Sequence, residues 1–105
     1  MIRGVHLSKA ARRDLDGIAD YFADRSLATA LRFSAAAEAA LSLVAGAPQI
    51  GHPRPGEDSF LRQVRSWPVP GFEAILVFYR PSVRGIDVVR IIHGARDVST
   101  ILEEE

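Results

Sequence analysis

A chain of 105 residues, in which 13 basic and 13 acidic side chains cancel, suffices for one small domain spanning residues 1–105. Hydrophobic residues at 48% and charged residues at 25% are typical of a soluble globular protein, and the balanced charge excludes a strongly basic, self-sufficient nucleic-acid binder. Because the chain has no cysteine and its histidines at 6, 52 and 93 lack metal-ligand spacing, we expect no disulfide, no metal and no cofactor.

The first part of the chain predicts a short strand and an amphipathic helix. Residues 3–7 alternate between polar and apolar side chains, and Ser8 can then cap a helix that runs from about Lys9 to Asp24. The apolar side chains of this helix recur at the spacing of one helical face, and they are Ala11, Leu15, Ile18 and Phe22. Such a stripe is expected to pack on a core.

A second helix is predicted from about Leu27 to Ala45, with Ser26 as its cap and Gly46 as its stop. Its many alanines permit close approach, so the two helices are expected to form an antiparallel hairpin. Residues 46–59 contain three prolines and three glycines, and we expect a loop there that carries His52 and Arg54.

Three strands are predicted after this loop, at residues 60–67, 72–80 and 86–93, with short hairpin turns between them. The resulting fold class is α+β, in which the helical hairpin covers one face of a four-stranded antiparallel sheet. The strand at 72–80 is apolar on both sides, which places it at the sheet centre. Its second face then needs a cover, which we expect from a short C-terminal helix at 98–102 and from a bound partner.

Arginines interrupt these apolar strands. Period-two alternation lets Arg62, Arg80 and Arg90 converge on one face of the sheet, while Arg65 points the other way, beside Trp67. Guanidinium groups bind phosphates and carboxylates in bidentate fashion, so one interpretation is a surface for an anionic partner.

The alternative interpretation is structural, with Arg90 paired to an internal carboxylate such as Asp97 or Glu73. We favour the structural role for Arg90 and a functional role for Arg62 and Arg96. His93, read by itself, is a structural hydrogen-bonding residue, and its nearness to Arg96 only slightly favours function.

The order of the predicted elements and four short segments together indicate a family. The segments are residues 48–51 (PQIG), 60–62 (FLR), 77–80 (VFYR) and 89–97 (VRIIHGARD). On these features, and over about residues 3–102, the chain resembles the ParE branch of the RelE/ParE toxins of type II toxin-antitoxin systems. The resemblance implies their fold: a short N-terminal strand, a helical hairpin, a three-stranded meander and a short C-terminal helix.

The resemblance implies one of two activities. RelE-like toxins cleave messenger RNA on the ribosome and use lysines before the Leu-Arg pair, a strand arginine, an arginine after the last strand and a tyrosine. ParE-like toxins inhibit DNA gyrase by binding it. Asp58 and Phe60 stand at the lysine positions here, an apolar residue near Leu76 stands at the strand-arginine position, and Leu102 stands at the tyrosine position. Arg96 alone is kept.

This mismatch favours a non-catalytic gyrase inhibitor. The alternatives are a ribosome-dependent endoribonuclease, with His93 and Arg96 as a remnant site, and an antitoxin-binding module whose toxicity has decayed. As partners we expect a cognate ParD-like antitoxin in a hetero-oligomer, together with DNA gyrase. No apolar run reaches the roughly 18 residues of a membrane span and no signal peptide follows Met1, so we expect a cytoplasmic protein.

The family resemblance and the sequence pattern together select two candidate surfaces. No catalytic residue is expected, and neither is sequence-specific nucleic-acid binding by the toxin alone. The expected target-binding residues are Arg62, Arg65, Arg80, Arg90, His93 and Arg96. The expected antitoxin-binding residues are Leu15, Ile18, Tyr21, Phe22 and Trp67.

Overall fold

A computed structural model describes residues 3–54, 63–94 and 101–102 of the chain. Helix α1 spans Lys9–Ala23 and helix α2 spans Leu27–Gly46. Each begins at a serine whose hydroxyl accepts a backbone hydrogen bond, from Ala11 at 3.0 Å for Ser8 and from Thr29 at 3.2 Å for Ser26. The two serine caps are as predicted, and the predicted helix ends lie within one residue of the observed ones. Gly46, the predicted stop, is instead the last residue of α2, and Ala47 is the C-cap.

The sheet has five strands in the order β1-β5-β4-β3-β2. Their bounds are β1 Val5–Leu7, β2 His52–Pro53, β3 Arg65–Val69, β4 Phe72–Ser82 and β5 Gly85–His93. Strand β1 runs parallel to β5, and the other neighbours are antiparallel. The α+β class, the C-terminal meander and the central position of β4 are therefore as predicted.

Two details of the strand prediction are wrong. The segment predicted as a loop contains a 3₁₀ turn at Pro48–Ile50 and strand β2, which adds a fifth strand by pairing with the start of β3. The strand predicted to begin at Phe60 begins at Arg65, since Gln63 has helical backbone and the pairing with β4 starts at Arg65 and Tyr79. Hydrophobic alternation extends across this boundary because Val64 is itself buried.

Both faces of the sheet bury apolar side chains. On one face, Ile75, Val77 and Tyr79 of β4 join the main core with both helices, as the doubly apolar pattern of β4 predicted. On the other face, Phe78 packs in a smaller cluster with Leu102, which is fully buried. Ile101 and Leu102 have helical backbone, so the end of the predicted C-terminal helix does cover part of this face.

Helix α2 is apolar enough to be mistaken for a membrane span. Its 20 residues meet the length and hydropathy of a bilayer-crossing helix, although Arg32 and Glu38 interrupt it. The core helix of a soluble protein can meet the same criteria, and six residues of α2 are buried in this fold: Ala30, Phe33, Ala37, Ala40, Leu41 and Val44.

Helix α1 closes the edge of β5 that β1 leaves open. Strand β1 ends at Leu7, opposite Val88, so the next residues of β5 have no strand on that side. Ser8 fills the first gap, because its hydroxyl donates to the Val89 carbonyl at 2.8 Å. Asp14 fills the second gap, because its carboxylate accepts from the Ile91 amide at 3.0 Å. Side chains of α1 thus satisfy backbone groups that would otherwise lack partners at the sheet edge.

The Asp14 carboxylate also binds Arg90 in a bidentate pair. Arg90 Nε lies 2.6 Å from Asp14 Oδ2, and Arg90 Nη2 lies 2.8 Å from Oδ1. Both side chains are largely shielded from solvent, with exposures of 16% and 13%. Removing one partner of such a pair leaves the other charge shielded and uncompensated.

Replacing Asp14 by alanine is therefore expected to lower the free energy of unfolding by about 2–4 kcal/mol, since Arg90 and the Ile91 amide both lose the Asp14 carboxylate. Denaturant unfolding followed by circular dichroism measures this loss. The control is Asp16→Ala, which removes an exposed carboxylate from the same helix and is expected to change stability by less than about 0.5 kcal/mol. Equal losses in the two variants would contradict a special role for Asp14.

Candidate functional surface

Tyr79 and Arg65 of the sheet hold the 3₁₀ turn in place by hydrogen bonds. The Tyr79 hydroxyl donates to the Pro48 carbonyl at 2.8 Å and accepts from the Gly51 amide at 2.9 Å. Arg65, opposite Tyr79 in the neighbouring strand, donates to the Gln49 and Gly51 carbonyls at 3.2 and 2.8 Å. The Arg65 guanidinium, one of the expected target contacts, is therefore engaged within the chain.

The contact between Gly51 and the Tyr79 hydroxyl leaves no room for a side chain at position 51. A Cβ atom at position 51 would lie 2.2 Å from the Tyr79 hydroxyl oxygen, a distance that no side chain tolerates. Burial raises the pKa of Tyr79 above its usual value of 10.0, against smaller opposing effects of the Gly51 hydrogen bond and the Arg65 charge. The hydroxyl therefore stays neutral and can donate to Pro48 at physiological pH.

Tyr79→Phe is expected to lower the free energy of unfolding by about 1–2 kcal/mol at neutral pH, because the Pro48 carbonyl and the Gly51 amide lose their partner. The raised folded-state pKa means that the stability from a neutral Tyr79 is fully present below pH 10.0 and is lost as pH rises through the folded-state value. The difference in the free energy of unfolding between the wild type and Tyr79→Phe is therefore expected to narrow above about pH 10. Urea titrations at a series of pH values measure this difference.

Tyr21→Phe is the matched control, because the Tyr21 ring is 53% exposed and keeps its contacts in the variant. We expect its stability to follow the wild type at neutral pH. A loss in Tyr21→Phe as large as that in Tyr79→Phe would contradict the role of the Tyr79 hydroxyl.

Arg90 has the structural role favoured from the sequence, with Asp14 as its carboxylate partner. Of the two partners suggested by the sequence, Glu73 lies by the β3–β4 turn, where its carboxylate accepts from the Gly71 amide. Asp97 lies outside the described residues. Register places Arg90 opposite Phe78, two residues from Arg80 along β4, so the Arg80 and Arg90 side chains start from the same face of the sheet.

Arg80 and His93 lie at opposite ends of the β4–β5 pair. Arg80 is half-buried and opposite Asp87, whereas His93 is exposed and opposite Ile75. His93 lies six residue steps after Asp87 along β5, which corresponds to about 20 Å along the strand. The described members of the expected target surface therefore do not form one compact site. Arg62 and Arg96, the other two members, lie outside the described residues.

An open cleft of about 800 Å³ lies between β1 and the β4–β5 turn. Gly85 permits the close approach there, since it has φ of 136° and a Cβ atom would meet the Gly4 carbonyl oxygen at 2.2 Å. The cleft wall contains two arginines and one aspartate. Its residues are Arg3, Gly4, Val5, His6, Ser82, Val83, Arg84, Ile86 and Asp87.

The residues expected to contact the antitoxin differ in how much of their side chains is exposed to solvent. Tyr21 is exposed, and the Arg25 guanidinium carbon lies 3.7 Å from the centre of its ring. Phe22 is half-buried between Phe33 and Phe72, with ring centres 5.5 and 5.2 Å away. Leu15, Ile18 and Trp67 are likewise half-buried against the main core, and the Trp67 ring stacks on His52.

Sequence reasoning missed Asp14, Arg3 and Arg84. A signal existed for Asp14, because it lies three residues after Ala11 and four before Ile18, on the apolar stripe of α1. Asp14 is a carboxylate on a core-facing stripe, and Arg90 is an arginine within an apolar strand. Because the two charges are opposite, the presence of each predicts a partner such as the other. No local pattern marked Arg3 and Arg84, since the parallel pairing of β1 with β5 brings them together.

A family comparison agrees with this architecture. A helical hairpin on a five-stranded, mostly antiparallel sheet is consistent with the RelE/ParE-like class of toxins. The family model of the ParE toxin of type II toxin-antitoxin systems matches residues 5–98. The chain therefore belongs to the ParE toxin family, and it is the toxin of a type II toxin-antitoxin pair. A comparison with curated proteins finds no match.

Proposed function

We propose that this toxin inhibits DNA gyrase by binding, without catalysis of its own, and that a ParD-like antitoxin neutralises it in a hetero-oligomeric complex in the cytoplasm. The observation that carries the non-catalytic part is the burial of Leu102, which has no exposed surface. The resemblance to the RelE branch assigns a tyrosine to this position. In this chain the position contributes to an apolar cluster and has no group that transfers a proton.

The strand position that carries an arginine in the RelE branch supports the same conclusion. An apolar residue near Leu76 stands there in this chain, and Leu76 itself packs against the same apolar cluster as Leu102. Metal-free cleavage of RNA requires a base, an acid and cations within hydrogen-bond reach of the reacting phosphate. A ribonuclease would have to work from His93 and Arg96, and it is the second candidate function.

The proposed gyrase surface lies on His93 and on the expected arginines other than Arg65 and Arg90. Arg65 and Arg90 act as supports in this proposal, because their guanidinium groups hold the 3₁₀ turn and helix α1. His93 is exposed at the end of β5, and Arg62, Arg80 and Arg96 complete the proposed surface. Arginine side chains suit an acidic protein surface or the phosphates of gyrase-bound DNA.

The target is tested by inducing the toxin in cells and measuring both gyrase–DNA cleavage complexes and cleavage of ribosome-bound messages. We expect cleavage complexes to accumulate and messages to stay intact. His93→Ala and Arg96→Ala are each expected to reduce toxicity at least about tenfold, as a lost contact at the centre of an interface does. Arg12→Ala, an exposed arginine on α1, is the matched control and is expected to remain toxic.

Message cleavage with normal gyrase turnover would overturn the gyrase proposal and favour the ribonuclease. If cleavage complexes accumulate and neither His93→Ala nor Arg96→Ala reduces them, the gyrase proposal stands and the proposed surface is wrong.

The proposed antitoxin contact lies at the end of α1 and at Trp67. Tyr21 presents an exposed ring beside Phe22, at a ring-centre distance of 5.5 Å. An antitoxin segment that folds on binding can cover such scattered apolar groups along an extended path. Exposed aromatic side chains are also the residues that most often dominate binding free energies.

Tyr21→Ala is expected to weaken antitoxin binding about tenfold or more in isothermal titration calorimetry. Asp20→Ala changes the exposed residue next to Tyr21 and is the control. It is expected to leave the antitoxin affinity within about twofold of the wild type. Toxicity of Tyr21→Ala in the absence of antitoxin is expected to persist, because this contact is separate from the gyrase surface. Unchanged antitoxin affinity in Tyr21→Ala would exclude this location.

A further inference from the structure

Strand β1 has a backbone edge that no strand of the described chain covers. Over the described residues, β1 and β2 are the outer strands of the sheet. The Gly4 carbonyl and the Ser8 amide, at the two ends of β1, bond to β5 at 2.8 and 3.0 Å. In a parallel pair every second residue of a strand bonds to the neighbouring strand, so Val5 and Leu7 direct their amides and carbonyls away from β5. We call these groups the open edge of β1.

An open strand edge is a template for a further strand. Strand β2, on the other side of the sheet, is a poor template, because it has two residues and Pro53 has no amide. Strand β1 contains no proline, and its open edge offers donors and acceptors at both Val5 and Leu7. The side chains of these two residues pack against the main core, so an added strand meets mainly backbone.

The open edge leads into the cleft between β1 and the β4–β5 turn. Val5 and His6 belong both to the strand and to the cleft wall. Among the described residues of this wall, Arg3 and Arg84 are exposed arginines, and Asp87 is the one carboxylate. Because the arginines outnumber the carboxylate, the cleft suits an acidic side chain next to a segment that lies on β1.

The charges along this edge disfavour a second copy of the toxin as its occupant. Two β1 strands that pair antiparallel through their open edges place Val5 of one copy opposite Leu7 of the other. The same register brings Arg3 of each copy towards Lys9 of the other, and it places the two His6 residues opposite each other. Like charges on facing strands are destabilising, whereas an acidic peptide is attracted to them.

The cleft and the proposed antitoxin contact lie at opposite ends of β4. Phe72, at the start of β4, packs on the Phe22 ring with centres 5.2 Å apart, and Ser82, at the end of β4, lines the cleft. The ten residue steps from Phe72 to Ser82 correspond to about 33 Å, which about ten residues of extended chain can span. An antitoxin segment that folds on binding can follow such a path.

We propose that an extended acidic segment of the antitoxin adds as a strand to the open edge of β1 and places a carboxylate at Arg3 and Arg84 in the cleft. This inference rests on the proposed neutralisation by an antitoxin, and it adds a second contact to the one at Tyr21. Backbone hydrogen bonds hold the segment, and the two arginines select its acidic side chain. Because one chain joins the two contacts, each raises the effective concentration for the other.

Amide hydrogen exchange followed by NMR tests the strand addition. In the free toxin the Ser8 amide is expected to exchange slowly and the Val5 and Leu7 amides quickly, since only the first bonds to β5. In the complex with the antitoxin, the Val5 and Leu7 amides are expected to exchange at least about tenfold more slowly. The Ser8 amide is the internal reference, because it is bonded in both states.

Leu7→Pro tests the same edge by affinity. It removes an amide that points away from β5, and it is expected to weaken antitoxin binding about tenfold or more in isothermal titration calorimetry. Leu7→Ala is the matched control, because it also loses the side-chain packing on the core but keeps the amide. It is expected to bind within about threefold of the wild type. Circular dichroism shows whether both variants keep the fold.

Arg84→Glu tests the cleft. It places a like charge beside the acidic side chain of the segment and is expected to weaken antitoxin binding about tenfold, with a smaller effect at high salt. Arg32→Glu is the matched control, because it changes the net charge equally at an exposed position on α2. It is expected to leave the antitoxin affinity within about twofold of the wild type.

If the Val5 and Leu7 amides exchange as quickly in the complex as in the free toxin, the proposal is wrong. A loss of affinity in Tyr21→Ala in that case would leave the first antitoxin contact standing. Equal losses in Arg84→Glu and Arg32→Glu would overturn the role of the cleft. Slow exchange of the two amides with gyrase, and fast exchange with the antitoxin, would assign the edge to the target and overturn the antitoxin as its occupant.

Discussion

The open edge of β5 is the constraint on which the rest of this fold depends. A parallel pairing of three residues with β1 satisfies only the first part of β5, and unpaired amides and carbonyls follow it. Ser8 and Asp14 of α1 complete the edge, so the helix is held at the sheet by hydrogen bonds as well as by apolar packing. The position of α1 in turn sets that of α2, because the two helices form one antiparallel hairpin over a shared core.

The same logic explains two arginines that first suggested an anion-binding surface. Arg90 forms an ion pair with the Asp14 carboxylate. Arg65 donates hydrogen bonds to carbonyls of the 3₁₀ turn, to which the Tyr79 hydroxyl also donates. An arginine within an apolar strand thus supplies several donors where the chain leaves the regular sheet pattern. His93 and the cleft between β1 and the β4–β5 turn lie at the ends of the strands, and both are open to solvent.

Local sequence signals predicted most of the fold and little of the candidate surfaces. Ser8 and Ser26 mark the helix starts through their capping hydroxyls, and the doubly apolar β4 marks the sheet centre. Strand β2 was missed because a strand of two residues, one of them a proline, has no detectable period, and its pairing depends on distant β3. The surfaces depend on such distant pairings throughout, since a charged side chain gives no sign in sequence of whether its partner is internal.

The two sides of α2 show how far composition alone can mislead. A helix that is apolar on all sides ordinarily lies fully inside a protein or a membrane, yet α2 buries only one side in this fold. Packing on the sheet accounts for the phenylalanine and part of the alanine content, and it leaves three exposed leucines without a role inside the domain. Exposed leucines carry a cost in solubility, so the composition of α2 overstates how much of this helix the single domain buries.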